Sequence, residues 1–227
     1  MENTHPQCAR CPYPPQDRLC HNENGKAPPF CPTANHPEVL QKAVREFDKP
    51  AIRNFAREAS LQEADGYADR ELGYARTKPL KPRLLEIAEF AERMGYRKLG
   101  LVFCLGLAAE ARKVERFLTS WGFEVVSGVC KIGRASKEIL GIGFDQNVQI
   151  GVFEAMCNPI GQAMILNHEK TEFNVMMGLC VGHDSLFLKY AEAPCTVFAV
   201  KDRLLAHNPL ACIYTLDSYY RVLKAPK

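Results

Sequence analysis

Four apolar runs limit what this chain can fold into: "KLGLVFC" (98–104), "FEVVSGVC" (123–130), "FNVMMGLC" (173–180) and "CTVFAV" (195–200). Their hydrophobic residues are nearly continuous rather than alternating, which marks strands covered on both faces. Helical patterns separate them. "AAEARKVERFLTSW" follows the first run. "NPIGQAMILNHE" (158–169) carries Asn158 as a cap and Pro159 in the first turn, and "SLFLKY" follows the third. Alternation of this kind predicts a Rossmann-like α/β domain over residues 80–227, with a mostly parallel sheet of about four to five strands. "NVQIGVF" (147–153) fits strand or loop, "SKEILGI" a short helical turn, and "NPLACIYTLDSYYRVL" a terminal helix.

Upstream, "KPRLLEIAEFAERMG" is a strong helix opened by Pro82 and stopped by Gly95. Residues 38–79 read as a helical segment packing on the core, with Pro37 and Pro50 at first-turn positions. Residues 1–37 are different. Prolines punctuate them and no apolar period appears, so such an arm orders only if something staples it.

The arm also carries Cys8-x2-Cys11-x8-Cys20-x10-Cys31. A CxxC with two further cysteines nearby suggests a metal site, which would supply the staple. Zinc and an iron–sulfur cluster are both open, as are a redox CxxC and a disordered tail. His5, His21 and His36 are substitute ligands. The other six of the ten cysteines lie beyond residue 103. Cys104, Cys130 and Cys180 each end a predicted strand, and Cys157 precedes a predicted helix. In a parallel sheet, all four meet at the carboxyl edge, where open α/β sheets bind ligands. A helix N-terminus favours the thiolate. Dispersed soft ligands without close-spaced knuckles point to iron–sulfur, a 4Fe–4S cluster, over zinc. Three ligands or four remain open. Packing explains any one buried cysteine equally well, and Cys195 and Cys212 are read as packing residues.

His183 and Asp184 follow Cys180 at a strand-to-helix corner, and Lys201, Asp202 and Arg203 follow the fourth strand. His183, Asp184 and Lys201 are the candidate catalytic residues, with helix capping as the alternative for Asp184. Lys131, Arg134, Lys201 and Arg203 would make the crevice positive and suit a small polar or anionic substrate. No G-x-G-x-x-G or G-x-x-x-x-G-K-[ST] stands at a strand-to-helix turn, which disfavours a nucleotide site. The formal net charge of +3 gives no case for nucleic acid, and no apolar run approaches the roughly 20 residues of a membrane span. With no secretory signal pattern at the start, the cytoplasm is the expected location, where disulfides are rare. An electron-transfer partner and a homo-oligomer both fit.

"FCLGL", "CKIGR" with "SKEILGI", "EAMCNPIGQAMILN", "GLCVGHDSLF", "KDRLLAHNP" and "CARC" together resemble an uncharacterised family of cysteine-rich proteins expected to bind metal, found mainly in anaerobic bacteria and archaea. The resemblance implies that Cys104, Cys130, Cys157, Cys180, His183, Asp184, Lys201 and Asp202 fall in the family's own motifs. It implies no particular reaction. The readings that follow are an iron–sulfur protein of redox or sulfur chemistry, a metal or redox sensor, or a zinc-stapled small-molecule binder.

Overall fold

Proline at the first turn opens three consecutive helices in the computed structural model, which describes residues 5–223. They are α1 (Pro32–Asn35), α2 (Pro37–Glu46) and α3 (Pro50–Asp65). Proline's fixed φ and missing N–H suit that position. The chain divides into two compact units, Met1–Ala64 and Asp65–Lys227. The ends of the predicted arm and of the predicted α/β domain, residues 1–4 and 224–227, lie outside the described residues.

The predicted helical segment stops at Asp65. Beyond it, Tyr67–Ala68 (β1) pairs antiparallel with Lys78–Pro79 (β2). Asp69 and Gly73 both take positive φ between them, which breaks the helical period. Helix α4 (Arg83–Arg93) starts after Pro82 and ends before Gly95, whose φ of +71° suits a residue without Cβ.

The second unit then alternates: β3 (Lys98–Phe103), α5 (Ala108–Ser120), β4 (Glu124–Val129), α6 (Pro159–His168), β5 (Phe173–Met177), α7 (His183–Tyr190), β6 (Cys195–Ala199) and α8 (Leu210–Tyr214). The sheet order is β4-β3-β5-β6, with every pair parallel. The chain leaves β3 toward β4, then returns to the other side of β3 as β5. Right-handed crossovers in opposite directions put α5 and α6 on opposite faces. They also create a switch point outside the carboxyl ends of β3 and β5.

Leu99, Leu101, Val102 and Val175 are fully buried and Met176 nearly so. Burying each such side chain contributes about 1.5–3 kcal/mol. On one face Val102 and Met176 pack with Ala163 and Leu166 of α6 and Phe187 of α7. Gly100 is required there, since a Cβ would lie 2.1 Å from Asn174 Oδ1. The outer edge of β6 is covered by Arg83, which donates from Nε to Val197 O (2.7 Å) and from Nη2 to Thr196 Oγ1 (2.9 Å). That blunts an open strand edge.

Two open readings resolve and one expectation changes. Residues 147–153, which fit strand or loop, form a loop. It is held by Glu154, whose Oε2 accepts from Val148 N at 2.8 Å. The terminal helix is only Leu210–Tyr214, and turns follow it. Helix α7 begins at His183 with Gly182 as its N-cap. Asp184 therefore lies in the first turn and does not cap the helix; its Oδ1 accepts from Ser185 N at 2.8 Å.

Candidate metal centre

The carboxyl ends of β3 and β4 deliver two thiols to one place. Cys104 follows β3 directly, and its N–H donates to Met177 O (3.1 Å) at the end of β5. Cys130 follows β4, and its N–H donates to Phe103 O (2.9 Å). Cys157 is brought in by helix α6. Asn158 N donates to Cys130 O (2.7 Å), and Asn158 Oδ1 caps the helix by accepting from Gly161 N (2.8 Å). Cys180 stands three residues past β5, after Gly178 and Leu179. Its carbonyl accepts from His183 N (2.9 Å) at the start of α7.

Three of the sulfurs are linked by hydrogen bonds and the fourth lies near them, without closing on a common point. Cys130 hydrogen-bonds both Cys157 and Cys104, and Leu105 N donates to Cys130 Sγ at 3.3 Å. Cys180 is within electrostatic reach of Cys157. The hydrogen bond with Cys157 and burial hold the Cys130 thiol protonated, far above its ordinary range. The same bond, with Lys131 nearby, pulls Cys157 down to about 7. Cys130 is thus the donor and Cys157 the thiolate of the pair.

Cations surround the cluster. Arg203 Nη2 donates to Cys180 Sγ at 3.0 Å. Lys131 pairs with Glu154 and donates to Ala155 O. Arg134 stacks on the Phe153 ring, 5.6 Å from its centroid, so it serves the loop. The Lys201 ammonium lies 3.7 Å from where a Cβ on Gly178 would sit. Asp202 is spent on its own turn, its Oδ1 accepting from Leu204 and Leu205 N. Burial, with Lys131, Lys137 and Arg203 outweighing Asp184, lowers the His183 pKa and keeps the ring neutral at pH 7. Cys195 accepts from Asn174 Nδ2 at 3.9 Å, at the opposite end of the sheet. Cys212 lies in α8.

One residue had only a faint signal in the sequence. Gln162 of α6 is fully buried, and its Nε2 donates to Gly128 O (2.7 Å) and Phe103 O (3.3 Å). It ties together the ends of the two strands that present Cys104 and Cys130. A polar residue amid "NPIGQAMILN" was the one clue, and side-chain direction alone gives it meaning.

In the first unit, Cys8, Cys11, Cys20 and Cys31 line one cavity of about 50 Å³, with Arg18, Lys26 and Phe30. Main-chain bonds shape it: Cys11 N to Cys8 O (3.2 Å), Leu19 N to Lys26 O (3.0 Å) and Lys26 N to Asp17 O (2.7 Å). No histidine is among its lining residues. All ten cysteines are free of disulfides. Among the described residues, no group of three or more His, Cys, Asp or Glu side chains is drawn in to where it could hold a metal ion. No helix among them is long and apolar enough to cross a membrane.

A family described as "Protein of unknown function (DUF1847)" matches residues 31–198. That span includes Cys31, all four crevice thiols, His183 and Asp184. It excludes Cys8, Cys11, Cys20, Lys201 and Arg203. The chain is also similar to "Uncharacterized protein MJ0455" of the archaeon Methanocaldococcus jannaschii, 41% identical over 183 residues, which cover 81% of this chain and 86% of that protein. With a match over most of its length and a relative this close, the chain belongs to the DUF1847 family.

Proposed function

We propose that the chain is an iron–sulfur protein whose cluster is held by thiols of the crevice set Cys104, Cys130, Cys157 and Cys180. The observation that carries this reading is their convergence from four separate segments at the switch-point edge of the sheet. Soft thiolates from dispersed segments suit such a cluster, and Lys131, Lys201 and Arg203 offset its negative charge. When bound, the group would supply electron transfer or a Lewis-acidic iron. The chain's own residues would then bind a small polar or anionic substrate through Lys201 and hold a proton-accepting imidazole, His183, beside it.

The arm supports a second group. Cys8, Cys11, Cys20 and Cys31 line one cavity, and four such thiols suit a zinc ion or a second cluster alike.

Anaerobic purification with iron, zinc and acid-labile sulfide analysis tests the proposal. Iron with matching sulfide supports it; protein that holds zinc alone after reconstitution with iron and sulfide sinks it. Zinc alone would favour a second reading, a zinc-stapled small-molecule binder. The observation behind that reading is that Cys130 is buried within the apolar core cluster.

A further inference from the structure

The four crevice thiols are not equivalent. Cys104, Cys130 and Cys157 share hydrogen bonds centred on Cys130, and all three belong to or pack against one apolar cluster. Cys180 stands outside that cluster. Its sulfur instead accepts the Arg203 guanidinium at 3.0 Å, and Arg203 itself is exposed. A charged donor at that distance makes a short, strong bond that holds the Cys180 sulfur on the Arg203 side.

Lys201 is the second asymmetry. Its ammonium hangs over Gly178 and Gly106, 3.7 and 3.9 Å from where their Cβ atoms would be. Cys104 Sγ lies 3.9 Å from that same Gly106 position. With no side chain on Gly106, that residue puts nothing between the ammonium and Cys104 Sγ. Lys201 is half-buried, and no carboxylate or other side-chain acceptor engages it among the described residues. A partly desolvated cation without a counter-charge is stabilised by an arriving anion.

We propose that Cys104, Cys130 and Cys157 are the protein ligands of the crevice group and that its fourth corner is kept open for a small anion bound by Lys201 and Arg203, with Cys180 restrained from ligation by Arg203. This rests on the iron–sulfur reading above, and it names that site's ligand count and substrate class. Cys180 is then a positioning and substrate-facing residue, and Lys201 the residue that sets specificity for negative charge.

The test uses the full chain, reconstituted anaerobically with iron and sulfide, and Cys→Ala variants at the four positions. C104A, C130A and C157A lose the crevice's share of iron and sulfide about tenfold or more and leave only what the arm holds, at least the scale of losing a supporting partner. C180A keeps wild-type iron and sulfide, and mild oxidation of either protein gives a three-iron EPR signal. If C180A loses its cluster as fully as C104A, this assignment falls while the iron–sulfur reading stands. If none of the four variants changes iron or sulfide, both fall. Cyanide probes the anion site independently of any folding defect in C130A. It shifts the EPR signal of the reduced wild-type protein, and K201M needs about tenfold more cyanide for the same shift, the equivalent of one charge-assisted contact. A K201M titration that overlays the wild type overturns the role given to Lys201.

Discussion

Replacing Gln162 with Leu isolates the clamp between the strand ends from the thiols themselves. Leucine keeps an apolar side chain of similar bulk and removes both donors. Phe103 O keeps Cys130 N at 2.9 Å, and Gly128 O keeps its ladder donor in the parallel β3–β4 pair, so each carbonyl loses a second bond, the one to Gly128 O being the shorter at 2.7 Å. Each such bond contributes about 0.5–1.5 kcal/mol net. Part of that is returned, because Gln162 Oε1 is itself buried without a partner and leucine removes it. The net loss is about 1–2 kcal/mol, which for a chain of this size lowers Tm by about 2–8 °C. The effect on the crevice is larger than on the fold, since β3 and β4 then present Cys104 and Cys130 from less constrained ends. Thermal melting of the metal-free protein gives the first number, and iron bound per chain at limiting iron gives the second. A Q162L protein that melts with the wild type and fills with iron equally would refute the clamp. A fall in Tm with full iron loading would leave Gln162 a core residue only.

Gly178→Ala puts a Cβ 2.3 Å from Leu107 Cδ1 at a φ of +66°, so it costs about 2–4 kcal/mol in urea unfolding. Gly106→Ala meets nothing nearer than 3.9 Å and leaves the unfolding midpoint unchanged. Glu154, bonded first by Lys137 and then by Val148 N and Lys131, is held down to about 2. Its stabilisation is complete above the unfolded carboxylate range, near about 4.5, and is lost as pH falls toward about 2. Melts of wild type and E154Q should therefore differ by about 1–2 kcal/mol near neutrality and converge at the acid end; parallel curves across that window would count against the assignment. In metal-free protein, alkylation of Cys157 by iodoacetamide should be half-maximal near pH 7. C130A removes the donor and moves that midpoint toward the free-thiol value of about 8.5, and an unmoved midpoint would show that Cys130 is not the cause.

The sheet was legible because buried parallel strands need apolar residues on both faces, and "KLGLVF" and "FNVMM" have little else. Order was less legible than content. Nothing in the runs themselves says that β5 pairs with β3 rather than β4. The Asp184 cap failed for a local reason: Gly182, at φ +84°, takes the capping position two residues earlier, so His183 is already helical. The terminal helix failed because amphipathic spacing over "YTLDSYYRVL" gives a face but no partner, and the last turn of α8 ends at Tyr214. Gln162 was only faintly legible since its meaning depends on a direction, not a spacing. Helix α6, which starts at Pro159 just after Cys157, must cross β3 and β4 before Gln162 can reach both carbonyls.

The two cysteine groups differ in what makes them converge. At the crevice the fold does it: parallel strands end on one edge, a crossover returns α6 to the same edge, and the main chain fixes Cys104, Cys130 and Cys157 through bonds to Phe103, Met177 and Asn158. Those thiols would stay near one another with no ligand present, and a bound group would still have to draw them in. The arm has no such frame. Its cysteines sit in turns and short 3-10 segments closed by a handful of main-chain bonds, and they enclose a cavity rather than a packed centre. On the proposed reading, a segment with that little buried apolar area draws its order from the group that fills the cavity. Occupancy is therefore a matter of affinity at the crevice and of folding in the arm. The same chelator that merely empties the first should unfold the second.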